Sequence, residues 1–92
     1  MRKIAIEDYT RIKKNIIKKL YSHKAFSKGH LLNGRLMSGI PAHLSGDIKG
    51  VLIDLMREGL VLYYGKTKYG DAYQLNIKKL DEIEEIIFED IN

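Results

Sequence analysis

The sequence predicts a mainly α-helical α+β domain with one small β-hairpin, in the order helix, helix, helix, strand, strand, helix. Apolar residues recur every three or four positions over 7–22 and 45–58, as in amphipathic helices. Residues 60–64 and 72–77 are instead strand-like and flank a glycine-containing turn, which predicts a hairpin. We therefore expect a single domain over residues 1–92, with its core in 7–77 and a separate helical element at 78–92.

The first helix is predicted over residues 7–22, where acidic residues at its start suit the helix dipole. Its apolar stripe consists of Tyr9, Ile12, Ile16 and Leu20. A shorter second helix is expected to open at Ser27, acting as its N-cap, and to bury Leu31, Leu32 and Leu36 before Pro41 breaks the pattern.

The third helix has the clearest signals. Ser45 is a candidate N-cap, and Gly59 is placed to end the helix in the left-handed conformation. Ile48, Leu52 and Leu55 form its buried stripe. The chain then changes to the hairpin, whose turn is predicted over residues 65–71, and a fourth helix is predicted over 78–90.

Charge is divided unevenly along the chain. All 16 Lys and Arg residues lie in residues 1–79 with only six of the 12 acidic residues, and the other six acidic residues follow Lys79. A basic body with an acidic last helix suggests a polyanionic partner for the body.

Several classes of protein are disfavoured by what the sequence lacks. It contains no cysteine, no apolar stretch long enough to span a membrane and no leader-like segment, so we expect a cytoplasmic protein. His23, His30 and His43 match no zinc-ligand spacing, and no P-loop or nucleophile-elbow motif occurs. We expect no enzyme activity, cofactor or metal, and no small-molecule ligand is identifiable.

The helix leading into the hairpin carries a recognisable pattern, Ile48-x-x-x-Leu52-x-x-Leu55-x-x-x-Gly59-Leu60-Val61, and the returning strand has Tyr73-x-Leu75. Over about residues 9–90 the chain resembles a winged helix-turn-helix domain of transcription regulators from prokaryotes, including archaea. Regulators of the multiple antibiotic resistance type are an example. The resemblance implies a transcription regulator that binds double-stranded DNA, with the third helix in the major groove and the hairpin, or wing, on the phosphates.

Three groups of residues are candidates for DNA contact. On the recognition helix they are Ser45, Gly46, Asp47, Lys49, Gly50, Ile53 and Arg57. On the wing they are Lys66, Thr67, Lys68 and Tyr69. Contacts to the DNA backbone are expected from Arg11, Lys14, Lys18 and Lys28.

Each group also has a simpler interpretation. The second helix would pack against Gly46 and Gly50, and the wing would be a solvated turn. The basic residues of the first helix would form a solvated face or ion pairs with the acidic last helix. Asp54 opposes the expected pattern, because it adds negative charge to a helix that should face phosphates. A winged helix that binds protein or structured RNA within a larger assembly is therefore the alternative function.

The last helix predicts a homodimer. Its apolar residues span an arc of roughly 200°, about twice what packing on one domain requires. The expected interface consists of Leu80, Ile83, Ile86, Ile87 and Phe88, with Ile91 beyond them. In the rival arrangement Ile4 and Ile6 cover this face within a monomer.

Overall fold

A computed structural model describes residues 5–88, which form four α-helices and one three-stranded antiparallel sheet. The helices are α1 (Ile6–Ser22), α2 (Asn33–Met37), α3 (Ser45–Arg57) and α4 (Leu80–Phe88). The strands are β1 (Leu31–Leu32), β2 (Val61–Thr67) and β3 (Gly70–Leu75), with β3 in the middle. The predicted α+β architecture with a hairpin is confirmed. Ile4, Ile91 and the predicted end of the fourth helix lie outside the described residues.

The core forms around α1, which packs against α3, α4 and β3. Ile16, Ile17 and Leu20 of α1 are completely buried, and Leu55 of α3 is buried with them. Because Ile48 and Leu52 are also almost fully enclosed, the predicted stripe of α3 is confirmed. Tyr9, at the start of the α1 stripe, is only half-buried.

The segment before α2 differs from the prediction. Leu31 and Leu32 are not helical but form β1, which pairs with Tyr73 and Ala72 of β3. Ser27 is not an N-cap, since it has a left-handed backbone with φ +60° and α2 begins only at Asn33. Pairs of apolar residues fit either type of element, and the partner strand that decides between them lies 40 residues away in sequence.

Only the C-terminal end of α3 matches the prediction. Ser45 is already helical, and its hydroxyl donates a hydrogen bond to the Ala42 carbonyl of a preceding 3-10 turn, so it is not the N-cap. Gly59 has φ +79° as predicted. The backbone N–H groups of Gly59 and Leu60 donate to the carbonyls of Met56 and Leu55, which completes a Schellman motif and turns the chain into β2.

The hairpin is longer and its turn tighter than predicted. Thr67 pairs directly with Gly70, so the turn consists of Lys68 and Tyr69 alone, and Gly65 belongs to β2. A register shift between Tyr63 and Gly65 makes a β-bulge. β3 ends at Leu75, two residues before the predicted end.

The last helix begins later than predicted. Residues Ile77–Lys79 form a 3-10 turn, capped where the Asn76 side chain accepts a hydrogen bond from the Lys78 backbone N–H, and α4 follows from Leu80. Tyr21 of α1 donates a 2.8 Å hydrogen bond to Glu84 of α4. This hydrogen bond links α4 to α1.

Candidate nucleic-acid interface

The outward side of α3 carries most of the predicted recognition residues. At about 100° per residue, Gly46, Lys49, Gly50, Ile53 and Arg57 follow one side of the helix. All five are exposed, and the buried stripe of α3 lies opposite. Ser45, at the start of the helix, is exposed as well. The structure thus presents these six candidates to solvent.

Packing among residues 5–88 gives no reason for a glycine at Gly50. A Cβ atom built there meets no heavy atom of the described residues within 4 Å outside its own helix, so the interpretation that α2 packs against this position is wrong. A glycine in a helix interior costs about 0.5–1 kcal/mol relative to alanine. By contrast, a Cβ on Gly29 would collide with the backbone carbonyl of Lys24, and that glycine is needed by the fold.

The two aspartates of α3 do not sit on this stripe. The Tyr9 hydroxyl donates a 2.9 Å hydrogen bond to Asp54 Oδ2, which holds the carboxylate towards α1. Burial, with this hydrogen bond and the negative charge of Asp54, raises the pKa of Tyr9 to about 12. Asp47 is half-buried in the first turn of α3, where the helix dipole favours a carboxylate. Asp54, which seemed to oppose DNA binding, is therefore a link between α1 and α3.

The hairpin presents its cations at the tip. Lys66, Lys68 and Tyr69 are exposed, and the Lys68 ammonium lies 5.2 Å from the centre of the Tyr69 ring. Thr67 serves the turn instead, since its hydroxyl donates to the Gly70 carbonyl and accepts from the Tyr69 N–H. Three of the four predicted wing residues are thus available to a partner.

The basic residues of α1 have several different environments. Arg11 pairs with Asp8 at 2.9 Å, and Lys13 pairs with Glu58 at 3.4 Å. Lys18 is exposed, as is Lys28 in the loop after α1, and Lys14 is half-buried.

Lys19, on the same helix, has a structural role instead. Its ammonium donates to the backbone carbonyls of Leu36 and Ser38 at the end of α2, and burial lowers its pKa. A cation at a helix C-terminus satisfies carbonyls that the helix leaves without partners. This role could not be predicted from local sequence, because Leu36 and Ser38 lie 17 and 19 residues after Lys19.

Comparison with protein-family models, curated proteins and solved structures finds no match to the chain.

The predicted dimer surface on α4 is reduced. Ile83 is completely buried within its own chain and cannot contact a partner. Leu80, Ile86 and Ile87 are half-buried, and Phe88 is 47% exposed. The neighbouring α1 contributes Ile6, which is 80% exposed, to a groove that also includes Ile86. An apolar surface remains along the α1–α4 edge.

His23 and His30 line one surface pocket together with Arg35. His30 stacks on Tyr64 with ring centres 4.2 Å apart, and among residues 5–88 no group of three or more His, Asp or Glu side chains is placed to hold a metal ion. Within the same residues, no helix combines the length and the apolar character needed to cross a membrane.

Proposed function

We propose that this chain is a winged helix-turn-helix protein that binds double-stranded DNA and regulates transcription. In this proposal α3 enters the major groove, which is wide enough for a helix and displays a distinct pattern for each base pair. The β2–β3 hairpin is the wing, and its lysines contact phosphates. Further contacts to the DNA backbone come from Arg11, Lys14, Lys18 and Lys28.

The observation that carries the proposal is the uncovered outward side of α3. Gly50 lowers helix stability there without any packing benefit inside the described part of the chain. A bare backbone does, however, permit close approach by another molecule. The cations Lys49 and Arg57 flank this bare stretch, while Asp54 is held against Tyr9. A polyanion is the partner that suits this arrangement.

An electrophoretic shift assay with random-sequence duplex DNA at two salt concentrations tests the proposal. Phosphate contacts release counterions, so binding should weaken steeply as salt is raised. Lys49→Ala should change the preferred sequence, and the exposed Lys24, which lies in the loop after α1, provides a matched control in Lys24→Ala. Equal binding of both variants to every duplex would contradict the placement of α3 in the groove.

A protein or structured-RNA partner is the second candidate function. Ile53 is the observation behind it, because an isoleucine with 39% of its surface exposed can pack on an apolar protein surface as well as in a DNA groove. This second function would replace the first if the protein bound no duplex at low salt. It would then bind either structured RNA or no nucleic acid at all.

We also propose that the protein is a homodimer formed through the α1–α4 edge. The groove between these helices is lined by Ile6, Tyr9 and Ile86 together with Lys13 and Lys14, and has a volume of about 400 Å³. Packing of a second copy against this edge would remove the exposed Ile6 and Phe88 from water. A dimer also supplies two recognition helices for half-sites roughly 34–36 Å apart.

Light scattering after size exclusion tests the dimer. We expect a mass of two chains for the wild type and of one chain for Phe88→Glu, which places a charge in the interface. Ile77→Glu alters a similarly exposed residue, at 51%, outside α4 and should leave the dimer intact. A wild-type mass of one chain at micromolar concentration would contradict the proposal.

A further inference from the structure

Ile53 is the exception among the aliphatic residues of α3. Ile48, Val51, Leu52 and Leu55 are at most 3% exposed, whereas Ile53 is 39% exposed on the opposite side of the helix. The core of the domain therefore does not account for an isoleucine at this position. Its surroundings on the helix surface indicate what it contacts.

The surroundings of Ile53 are mostly bare backbone and positive charge, with the half-buried Met56 on the following turn. At about 100° per residue, Gly46 lies within about 20° of Ile53 around the helix and Gly50 within about 60°. Lys49 and Arg57 lie about 40° to either side. A side chain in an α-helix leans over the turn that precedes it, so Ile53 extends towards Gly50, where a Cβ would find open space. The result is one branched aliphatic group on a bare surface between two cations.

This combination fits one feature of duplex DNA. The major groove presents polar base edges and a single type of apolar group, the C5 methyl of thymine. Lysine and arginine on either side suit the phosphates or guanine edges that border a base step. Contact with a methyl group gives the exposed aliphatic side chain the burial that the domain does not provide.

We propose that Ile53 contacts a thymine methyl group and that the protein prefers duplex sites with thymine under the middle of α3. This inference rests on the proposed DNA-binding function and names the base that α3 selects. In this arrangement Ile53 selects thymine, and Gly50, which has no side chain, allows the base edge to approach α3.

The experiment removes only the methyl group. Preferred duplexes are first selected from a randomised pool with the wild-type protein, and each thymine is then replaced singly by deoxyuridine. We expect about a fourfold loss of affinity at one or two positions per half-site, since burying one methyl-sized group contributes about 0.8 kcal/mol. The Ile53→Ala variant should bind thymine and deoxyuridine duplexes equally. Leu62→Ala, at an equally exposed position of β2, should retain the wild-type difference.

The outcomes separate this inference from the proposed function. Binding of duplex DNA without any enriched thymine, or with no loss on deoxyuridine substitution, overturns the role of Ile53 and leaves DNA binding in place. An equal thymine preference in Ile53→Ala also overturns it. Absence of binding to any duplex overturns both. Thermal denaturation tests whether each variant is folded. We expect Ile53→Ala to fold, because Ile53 is exposed.

Discussion

Replacing Gly50 by alanine should strengthen the fold and weaken DNA binding. The added methyl group meets nothing within 4 Å outside α3, so it causes no clash within the described chain. Alanine in a helix interior is more favourable than glycine by about 0.5–1 kcal/mol. For a domain of this size, that difference corresponds to a rise in Tm of roughly 2–8 °C. Thermal denaturation followed by circular dichroism measures it.

The same methyl group would stand between α3 and the groove. If packing at that contact is close, the additional volume costs about 1–3 kcal/mol, which is roughly a 5- to 150-fold loss of affinity. Gly34→Ala on α2, where a Cβ also finds open space, is the control for helix propensity. Gly29→Ala should destabilise, because its Cβ collides with Lys24. A Gly50→Ala protein that is more stable yet binds DNA as tightly as the wild type would refute the reasoning.

Three further predictions concern the core, the wing and the link between α1 and α3. Leu52→Ala should lower the free energy of unfolding in urea by about 2–5 kcal/mol, because it leaves a cavity, and a loss below about 0.5 kcal/mol would contradict its burial. Lys66→Ala and Lys68→Ala should each weaken binding to all duplexes and reduce the slope of log affinity against log salt by about one; an unchanged slope would exclude phosphate contacts by the wing. Because the pKa of Tyr9 is raised from 10.0 to about 12, its contribution to stability is complete below pH 10 and is lost as the pH rises towards 12. In Asp54→Asn the ¹³C shift of Tyr9 Cζ should titrate at lower pH, and an unaltered titration would show that Asp54 does not act on Tyr9.

The long helices could be predicted because their signals are local. Apolar spacing located α1 and α3, and Gly59 marked the end of α3 through its need for a positive φ. The outward stripe of α3 followed from the same periodicity. These features depend on residues within a few turns of one another, which a sequence displays directly.

The features that were missed depend on distant partners. β1 exists because Leu31 and Leu32 meet β3, and no local pattern distinguishes such a pair from part of a helix. The position of Asp54 is set by Tyr9, 45 residues earlier in the chain. Ile83 was predicted to lie in the dimer interface on the apolar arc of the last helix, but it is buried by its own domain. Tertiary contacts decided each of these positions.

The hairpin is supported unevenly along its length. β1 pairs with β3 only at Ala72 and Tyr73, so the ribbon from Gly65 to Asp71 is two-stranded and lacks a third strand. Two-stranded ribbons twist more than wider sheets, and the bulge after Tyr63 adds to the twist. Amide hydrogens in this outer ribbon should exchange with solvent through local opening, while those at Val61 and Leu75 require unfolding of the whole domain. The tip can therefore change its angle at low free-energy cost while the base of the hairpin stays fixed to the core.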